Sequence, residues 1–245
     1  MCLTFGRPQV LEEAIESFLR QDYPGVKELL VLNDCAHQTL ICDHPEVVVI
    51  NIPKRFRTVG EKRNACAALA SHDLFFVWDD DDIFLPHRIS FSVQHLDIAK
   101  GFFKPSKALM LNNGVVSGPK SNLFHSGGCF TRDLFNRAHG YAHMGSGQDM
   151  DIENAIERLI GRGKNYNAIK PQEIFYLYRW GGTGSFHLSG FGRDKPGETT
   201  GNERVANYVQ QQLEKGKIPT GIVRLEPKWK ADYCRLVADF VQTLS

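Results

Sequence analysis

The 245 residues are 42% hydrophobic and 23% charged, an ordinary globular composition that excludes a disordered chain and suits one large α/β domain or a domain with an appendage. No apolar run approaches the roughly 18–20 residues of a membrane span and Met1 opens no signal-peptide pattern, so a soluble, cytoplasmic protein is expected. Net charge is +1, but residues 1–100 carry 15 acidic and 10 basic side chains and the remainder 13 and 19, so the halves stand at −5 and +6; the basic second half is a weak pointer to an anionic partner.

In chain order, Met1–Thr4 is the end of a short strand and Phe5-Gly6-Arg7-Pro8 a turn. Val10, Leu11, Ala14, Ile15, Phe18 and Leu19 then fall on one helical face, with Glu12, Glu13 and Glu16 on the other. Tyr23-Pro24-Gly25 ends that unit. Strands follow at Leu29–Leu32 and Val47–Ile50, then a basic loop (Lys54, Arg55, Arg57), a helix over 60–70 and a strand at Leu74–Trp78. Strands alternating with amphipathic helices predict a mostly parallel βαβ sheet with right-handed crossovers.

A helix is expected from Pro86 to about Lys100. Residues 108–131 are short strand-like pieces broken by glycines. A helix begins near Asp149 and stops at Gly161-Arg162-Gly163, and Glu173–Trp180 is a strand. Gly181–Gly192 is a glycine-rich loop; helices over 199–214 and 229–244 flank a strand at Gly221–Val223. The six cysteines form no CxxC pair, which excludes a zinc or thioredoxin-like motif and predicts free thiols in a reducing compartment.

The chemistry concentrates at Trp78-Asp79-Asp80-Asp81-Asp82. Five apolar residues lead into four adjacent carboxylates, and Ile83-Phe84-Leu85-Pro86 is apolar again. A solvated acidic turn is the plain alternative, but it needs no buried strand on either side. Crowded carboxylates repel unless a cation or donors neutralise them, and hard cations such as Mg²⁺ or Mn²⁺ suit such ligands. Strands 29–32 and 74–78 both end in acids. In a parallel sheet Asp34 and Asp79–Asp82 therefore face one crevice, a nucleotide-type site.

Several motifs in order carry a resemblance: Thr4-Phe5-Gly6-Arg7-Pro8, Leu32-Asn33-Asp34, Gly60-Glu61-Lys62-Arg63-Asn64, Val77-Trp78-Asp79-Asp80-Asp81-Asp82, Gly127-Gly128-Cys129-Phe130, Gly147-Gln148-Asp149 and Tyr178-Arg179-Trp180. Over roughly residues 1–190 the chain resembles family 2 glycosyltransferases of the GT-A fold, whose Rossmann-like, mostly parallel sheet is flanked by helices. It departs from the family at its short first strand, at Gly6 and at Gln148, each where another residue or a longer element is usual. The resemblance implies a donor-binding half over 1–100, an acceptor and catalytic half over 101–195 and a C-terminal helical extension over 196–245.

It also implies roles. Thr4, Arg7, Asp34, Arg63, Asp79 and Asp80 would bind a nucleotide sugar, with UDP as the expected nucleotide. Asp81 and Asp79 would hold Mn²⁺ or Mg²⁺, joined by His187 if the loop closes; a solvent-facing His187 is the alternative. Asp82 either supports the turn or takes part. Asp149 would deprotonate the acceptor hydroxyl in an inverting transfer, although from the sequence alone Asp149 or Ser146 equally suits a helix N-cap. Trp180 and Gly128 would meet the acceptor, with Trp180 alternatively a core residue. Lys62 is expected at a solvated helix start.

The expected acceptor is a saccharide or glycoconjugate. Hydroxymethylated pyrimidines in DNA are the alternative, favoured by the basic half and by Lys215, Lys217, Lys228 and Lys230. A non-catalytic nucleotide-sugar or glycan-binding module is a further alternative, against which the acids and Asp149 are intact.

Overall fold

Short apolar runs between turn residues build the sheets. The computed structural model describes residues 1–121, 124–161, 167–181 and 200–244. Its first half runs β1 (Cys2–Thr4), α1 (Pro8–Leu19), β2 (Leu29–Asn33), β3 (Gln38–Ile41), β4 (Val47–Asn51), α2 (Val59–Leu69), β5 (Leu74–Phe76), β6 (Trp78–Asp79), β7 (Ile83–Phe84) and α3 (Arg88–His95). The rest runs β8 (Phe102–Phe103), β9 (Lys107–Asn112), β10 (Val115–Ser121), β11 (Cys129–Thr131), α4 (Arg132–Arg137), α5 (Gln148–Ile160), β12 (Tyr176–Trp180), α6 (Gly201–Glu214), β13 (Gly221–Arg224) and α7 (Tyr233–Gln242).

The central sheet has the order β4-β2-β1-β6 and is parallel throughout. β2 is buried along its whole length, as a strand covered on both faces must be. α1 starts with Pro8 in its first turn, where a missing N–H costs nothing. It buries Val10, Leu11, Ala14, Ile15 and Phe18 against the sheet. Trp78 fills the centre, edge-on to Phe18 and tilted against Phe84, and its indole N–H donates to the Ala14 carbonyl at 3.0 Å. The order β10-β9-β12-β7 forms a mixed second sheet, and β5-β11-β8 a small antiparallel third.

Several expectations are corrected. Leu74–Trp78 is not one strand: it divides at Val77, where β5 joins β11 and β6 joins β1. The side chains show why. Phe75 packs with Phe130 and Phe135 in a separate cluster, while Trp78 belongs to the main core, so the two ends serve different layers. The helix after Pro86 stops at His95, with Leu96 already extended. The strand expected from Glu173 begins at Tyr176, after a 3₁₀ turn over Pro171–Glu173. Unanticipated elements are α4, capped by the Thr131 hydroxyl, and β3, which pairs in parallel with β13 about 180 residues away. Glu13, expected on the polar face of α1, is fully buried. All six cysteines are free. Among the described residues no helix is long and apolar enough to cross a membrane.

Candidate active site

Register sets the site. Leu3 lies opposite Asp79, and Thr4 opposite Asn33, so the carboxyl ends of β1, β2 and β6 share one edge. That is where open α/β sheets bind ligands. A cavity of about 210 Å³ opens there, and Thr4, Arg7, Asp34, Arg63 and Asp79–Asp81 line it.

The four carboxylates face different partners. Asp79 accepts from Arg63 Nη2 at 3.1 Å and from the Ser126 hydroxyl. Asp80 accepts from Arg7 Nε at 3.0 Å and from its Nη2, while Arg7 Nη1 donates to Asp81 at 2.8 Å. Asp82 turns away from the cavity, accepting from the Tyr176 hydroxyl at 2.7 Å and the Arg179 amide at 2.9 Å. Burial, reinforced by the Asp81 charge and opposed by Arg7, pushes the Asp80 carboxyl up to about 6. Burial followed by Asp81 and Asp79 drives Asp82 well above the carboxylate range. For Asp79 burial acts in the same sense, but Arg63 and Ser126 outweigh it and hold the carboxyl below its usual value. For Arg7 burial is likewise outweighed, here by Asp80 and Asp81, and the guanidinium rises above its ordinary value. Arg7 thus gains two carboxylates, whereas Asp80 shares its one cation, and burial dominates at the acid.

Asp34 binds Lys62 Nζ at 2.5 Å and accepts from the Phe56 amide at 3.0 Å. Lys62 is therefore not solvated. It is 6% exposed and also donates to the Thr4 carbonyl at 2.6 Å, closing the floor between β1 and β2. Burial lowers its pKa, with Asp34 opposing. Arg55 lies 3.5 Å over the Phe5 ring and donates to Asn202 Oδ1 at 2.6 Å. Asn202, near the start of α6, also donates to the Arg57 carbonyl at 2.9 Å. Ser126, Arg55 and Asn202 were not singled out from the sequence. Arg55 at least sits in a basic loop, but no motif marks Asn202.

α5 begins after Gly147, which takes φ 83° and leaves the helix without a side-chain cap, so neither Ser146 nor Asp149 is the cap. Gln148 reaches the cavity, and the Asp149 carboxylate next to it accepts from the Met150 amide at 2.9 Å. For Arg63, burial is outweighed by Asp79, Tyr141 and Asp149, which hold the guanidinium above its ordinary value. Asp149 and the acidic turn thus act on one cation.

Beneath this lies a buried chain. Lys104 Nζ sits 2.7 and 2.9 Å from the two Glu153 oxygens, His125 Nδ1 lies 2.7 Å from Glu153, and His125 Nε2 lies 2.6 Å from the Tyr141 hydroxyl. Nδ1 donating to Glu153 and Nε2 accepting from the Tyr141 hydroxyl satisfy both contacts. The chain braces Ser126, and through it Asp79.

The remaining predicted residues divide. Trp180 ends β12 at 41% exposure, which excludes a core role. Gly128 is buried behind β5 and β6, its carbonyl accepting from the Val77 amide at 3.4 Å, and does not line the cavity. His187 lies outside the described residues. Among the described residues no three His, Cys, Asp or Glu side chains converge on a metal position. In the basic group, Lys228 lies 3.6 Å from Glu226, and Lys230 lies 3.5 Å from Glu13, a carboxylate that Arg179 Nη1 meets more closely at 2.5 Å.

The parallel sheet and its flanking helices have the arrangement of the GT-A fold. Residues 3–102 match the model for "Glycosyl transferase family 2", which covers about two fifths of the chain. Among solved structures, S. aureus TarS 1-349 is similar with a TM-score of 0.55 at 12% identity, over 73% of this chain and 59% of that one. Its complex with UDP-GlcNAc gives 0.52 at 12%, over 74% and 58%. The mannosyltransferase PcManGT from Pyrobaculum calidifontis, in complex with GDP-Man and Mn2+, gives 0.55 at 17%, over 88% and 69%. The chain thus spans about three fifths of the TarS 1-349 structure it resembles. A search of curated proteins found no match.

Proposed function

We propose that the protein transfers a sugar from a nucleoside diphosphate sugar, UDP-linked by preference, to a hydroxyl of a saccharide or glycoconjugate. The observation that carries this reading is the shared edge. Asp34 at the end of β2 with Lys62 of α2, Arg7 and Arg63 beside the acidic turn, and the start of the helix bearing Asp149 all border one cavity. The TarS and PcManGT complexes with UDP-GlcNAc and GDP-Man lend support through their fold.

The donor's base lies against Phe5 and Arg55, within reach of Asp34, and its diphosphate lies toward Arg7 and Arg63. Those guanidiniums supply planar donor forks suited to phosphate oxygens. The donor set of the turn fits a divalent cation, since Asp79 and Asp81 offer hard carboxylate oxygens on the cavity side. Asp81 and Asp79 would hold it, and when bound it supplies Lewis-acid stabilisation of the departing diphosphate. Asp149 takes the acceptor hydroxyl's proton as that oxygen attacks the anomeric carbon from the face opposite the leaving group, which inverts the configuration. Arg63 senses both Asp79 and Asp149, which links the donor side of the cavity to the base. Trp180, exposed at the end of β12, offers a ring face for the acceptor sugar.

A panel of nucleotide sugars, each with and without Mn²⁺, tests the reading by thermal stabilisation, because a ligand that binds only the folded state raises stability. Asp149→Asn should keep that donor stabilisation and lose transfer by about 10²–10⁴-fold. Stabilisation by no nucleotide sugar would remove the proposal, and full transfer by the Asn variant would remove Asp149 as the base.

A further inference from the structure

The floor of the donor cavity is an ion pair, and its chemistry selects the ring that can lie on it. Lys62 Nζ sits 2.5 Å from Asp34 Oδ1 and donates to the Thr4 carbonyl at 2.6 Å, while the Phe56 amide donates to Asp34 Oδ2 at 3.0 Å. Taking two ions out of water is costly even when they meet. These two are not sealed into the core. Both line the cavity, with 8% of the Lys62 side chain and 3% of the Asp34 side chain exposed. Leu3, Phe5 and Phe56 give the cavity apolar walls beside them. A smaller hollow of about 170 Å³ adjoins at Phe5, Asp34 and Arg55, with Val209 and Leu213 of α6 among its walls.

The pair still has hydrogen-bonding capacity of both kinds. An ammonium carries three protons, and the contacts of Lys62 use two. A carboxylate has about four lone-pair sites, and the contacts of Asp34 use two. As a unit the pair is neutral, so a phosphate would have to compete with Asp34 for the ammonium, whereas an uncharged ring carbonyl need not. Arg7 and Arg63, beside the acidic turn, already supply the forks for phosphate. The pair can therefore accept one further hydrogen bond and donate one, side by side. Its complement is a ring N–H next to a carbonyl, the pattern of uracil and guanine. Cytosine and adenine present a bare ring nitrogen next to an amino group, which sets lone pair against carboxylate and N–H against ammonium.

We propose that Asp34 and Lys62 read the donor's base together, Lys62 Nζ donating to the ring carbonyl next to the N–H that Asp34 accepts, so that uracil or guanine is admitted and cytosine and adenine are rejected. Lys62 is then a specificity-determining residue. The assignment rests on the nucleotide-sugar reading given above.

Lys62→Met strands the buried Asp34 carboxylate, so the test begins with the unaltered protein. Titration calorimetry on the full chain, with Mn²⁺ present throughout, compares UDP, GDP, CDP and ADP. It then takes the thio analogues of the nucleotide that binds (2-thio-UDP and 4-thio-UDP, or 6-thio-GDP), in which a poor sulfur acceptor replaces a ring oxygen. UDP or GDP should bind at least about tenfold tighter than CDP and ADP, as a site built on hydrogen bonds requires, and UDP against GDP identifies the ring. One thio analogue should bind about five- to tenfold weaker than its parent, in keeping with one weakened hydrogen bond. These comparisons need no variant. In Lys62→Met the thio penalty should vanish, whereas a lysine that only held Asp34 in place would leave it unchanged. Binding by none of the four nucleotides would remove the donor reading itself. CDP or ADP within about tenfold of UDP or GDP, no thio penalty in the unaltered protein, or a penalty that survives in Lys62→Met would overturn the Lys62 assignment and leave the donor reading standing.

Discussion

Glu153→Gln removes one charge from the chain that braces the acidic turn. Burial works against the Glu153 carboxylate, but the His125 contact and the Lys104 ammonium outweigh it and bring the carboxyl from 4.5 down to about 2. A difference of that size corresponds to about 3 kcal/mol of stability at neutral pH. Lys104 is fully buried in its side chain, and desolvation lowers its pKa despite Glu153. Part of the gain at the acid is therefore spent at the base, and the expected loss for Glu153→Gln at pH 7 is about 2–3 kcal/mol. In a domain of this size that lowers the melting temperature by about 5–10 °C. The sign with pH follows from the depressed carboxyl. Its contribution is complete above the unfolded value of 4.5 and disappears as pH falls toward about 2, with roughly 1.4 kcal/mol remaining at pH 3. Urea unfolding of both proteins at pH 7 and pH 3 reads the difference directly. A gap below about 0.5 kcal/mol at pH 7, or one that does not narrow on acidification, would refute the electrostatic account of the brace.

Asn202→Ala takes away the side chain that fixes Arg55 and the Arg57 carbonyl; donor affinity should fall about tenfold, in keeping with one to two hydrogen bonds, with turnover at saturating donor nearly unchanged. Gly60→Ala would drive a methyl into the Ala142 carbonyl oxygen; α2 and the segment between α4 and α5 must then separate, and chemical denaturation should show a loss of about 3 kcal/mol or more. Tyr176→Phe deletes the hydroxyl donating to Asp82 and should cost about 1–2 kcal/mol by the same measurement while sparing donor binding.

The sequence made the local parts of this site legible. β2 and α1 announce themselves by apolar spacing, and the acidic run by its buried flanks. Asp34, Arg7, Arg63 and Asp79–Asp81 do meet at one cavity, because a parallel sheet forces strand ends together. Partnerships made over long distances were not legible. Lys62 reads as a solvated helix start until β1 and β2 are placed beside it. Glu13 has the helical phase of a polar face, and only the arrival of Arg179, Lys230 and Tyr233 makes its burial tolerable. β3 carries Gln38 and Thr39, too polar to read as a strand until β13 pairs with it. Asn202 acts through a loop about 145 residues earlier in the chain, and no spacing rule reaches that far.

The Glu13 contacts also bear on how the protein can be cut. The segment that matches the family model ends at residue 102, and it contains Glu13 but none of the four groups that satisfy its carboxylate. A fragment excised at that boundary would carry a carboxylate shaped for an interior with nothing to meet it, along with β5 deprived of β11 and β3 deprived of β13. The stretch that matches the family model is therefore expected not to fold as an isolated fragment. Anyone trimming this chain for crystals or for grafting must keep the last helix, because the first helix was built around it.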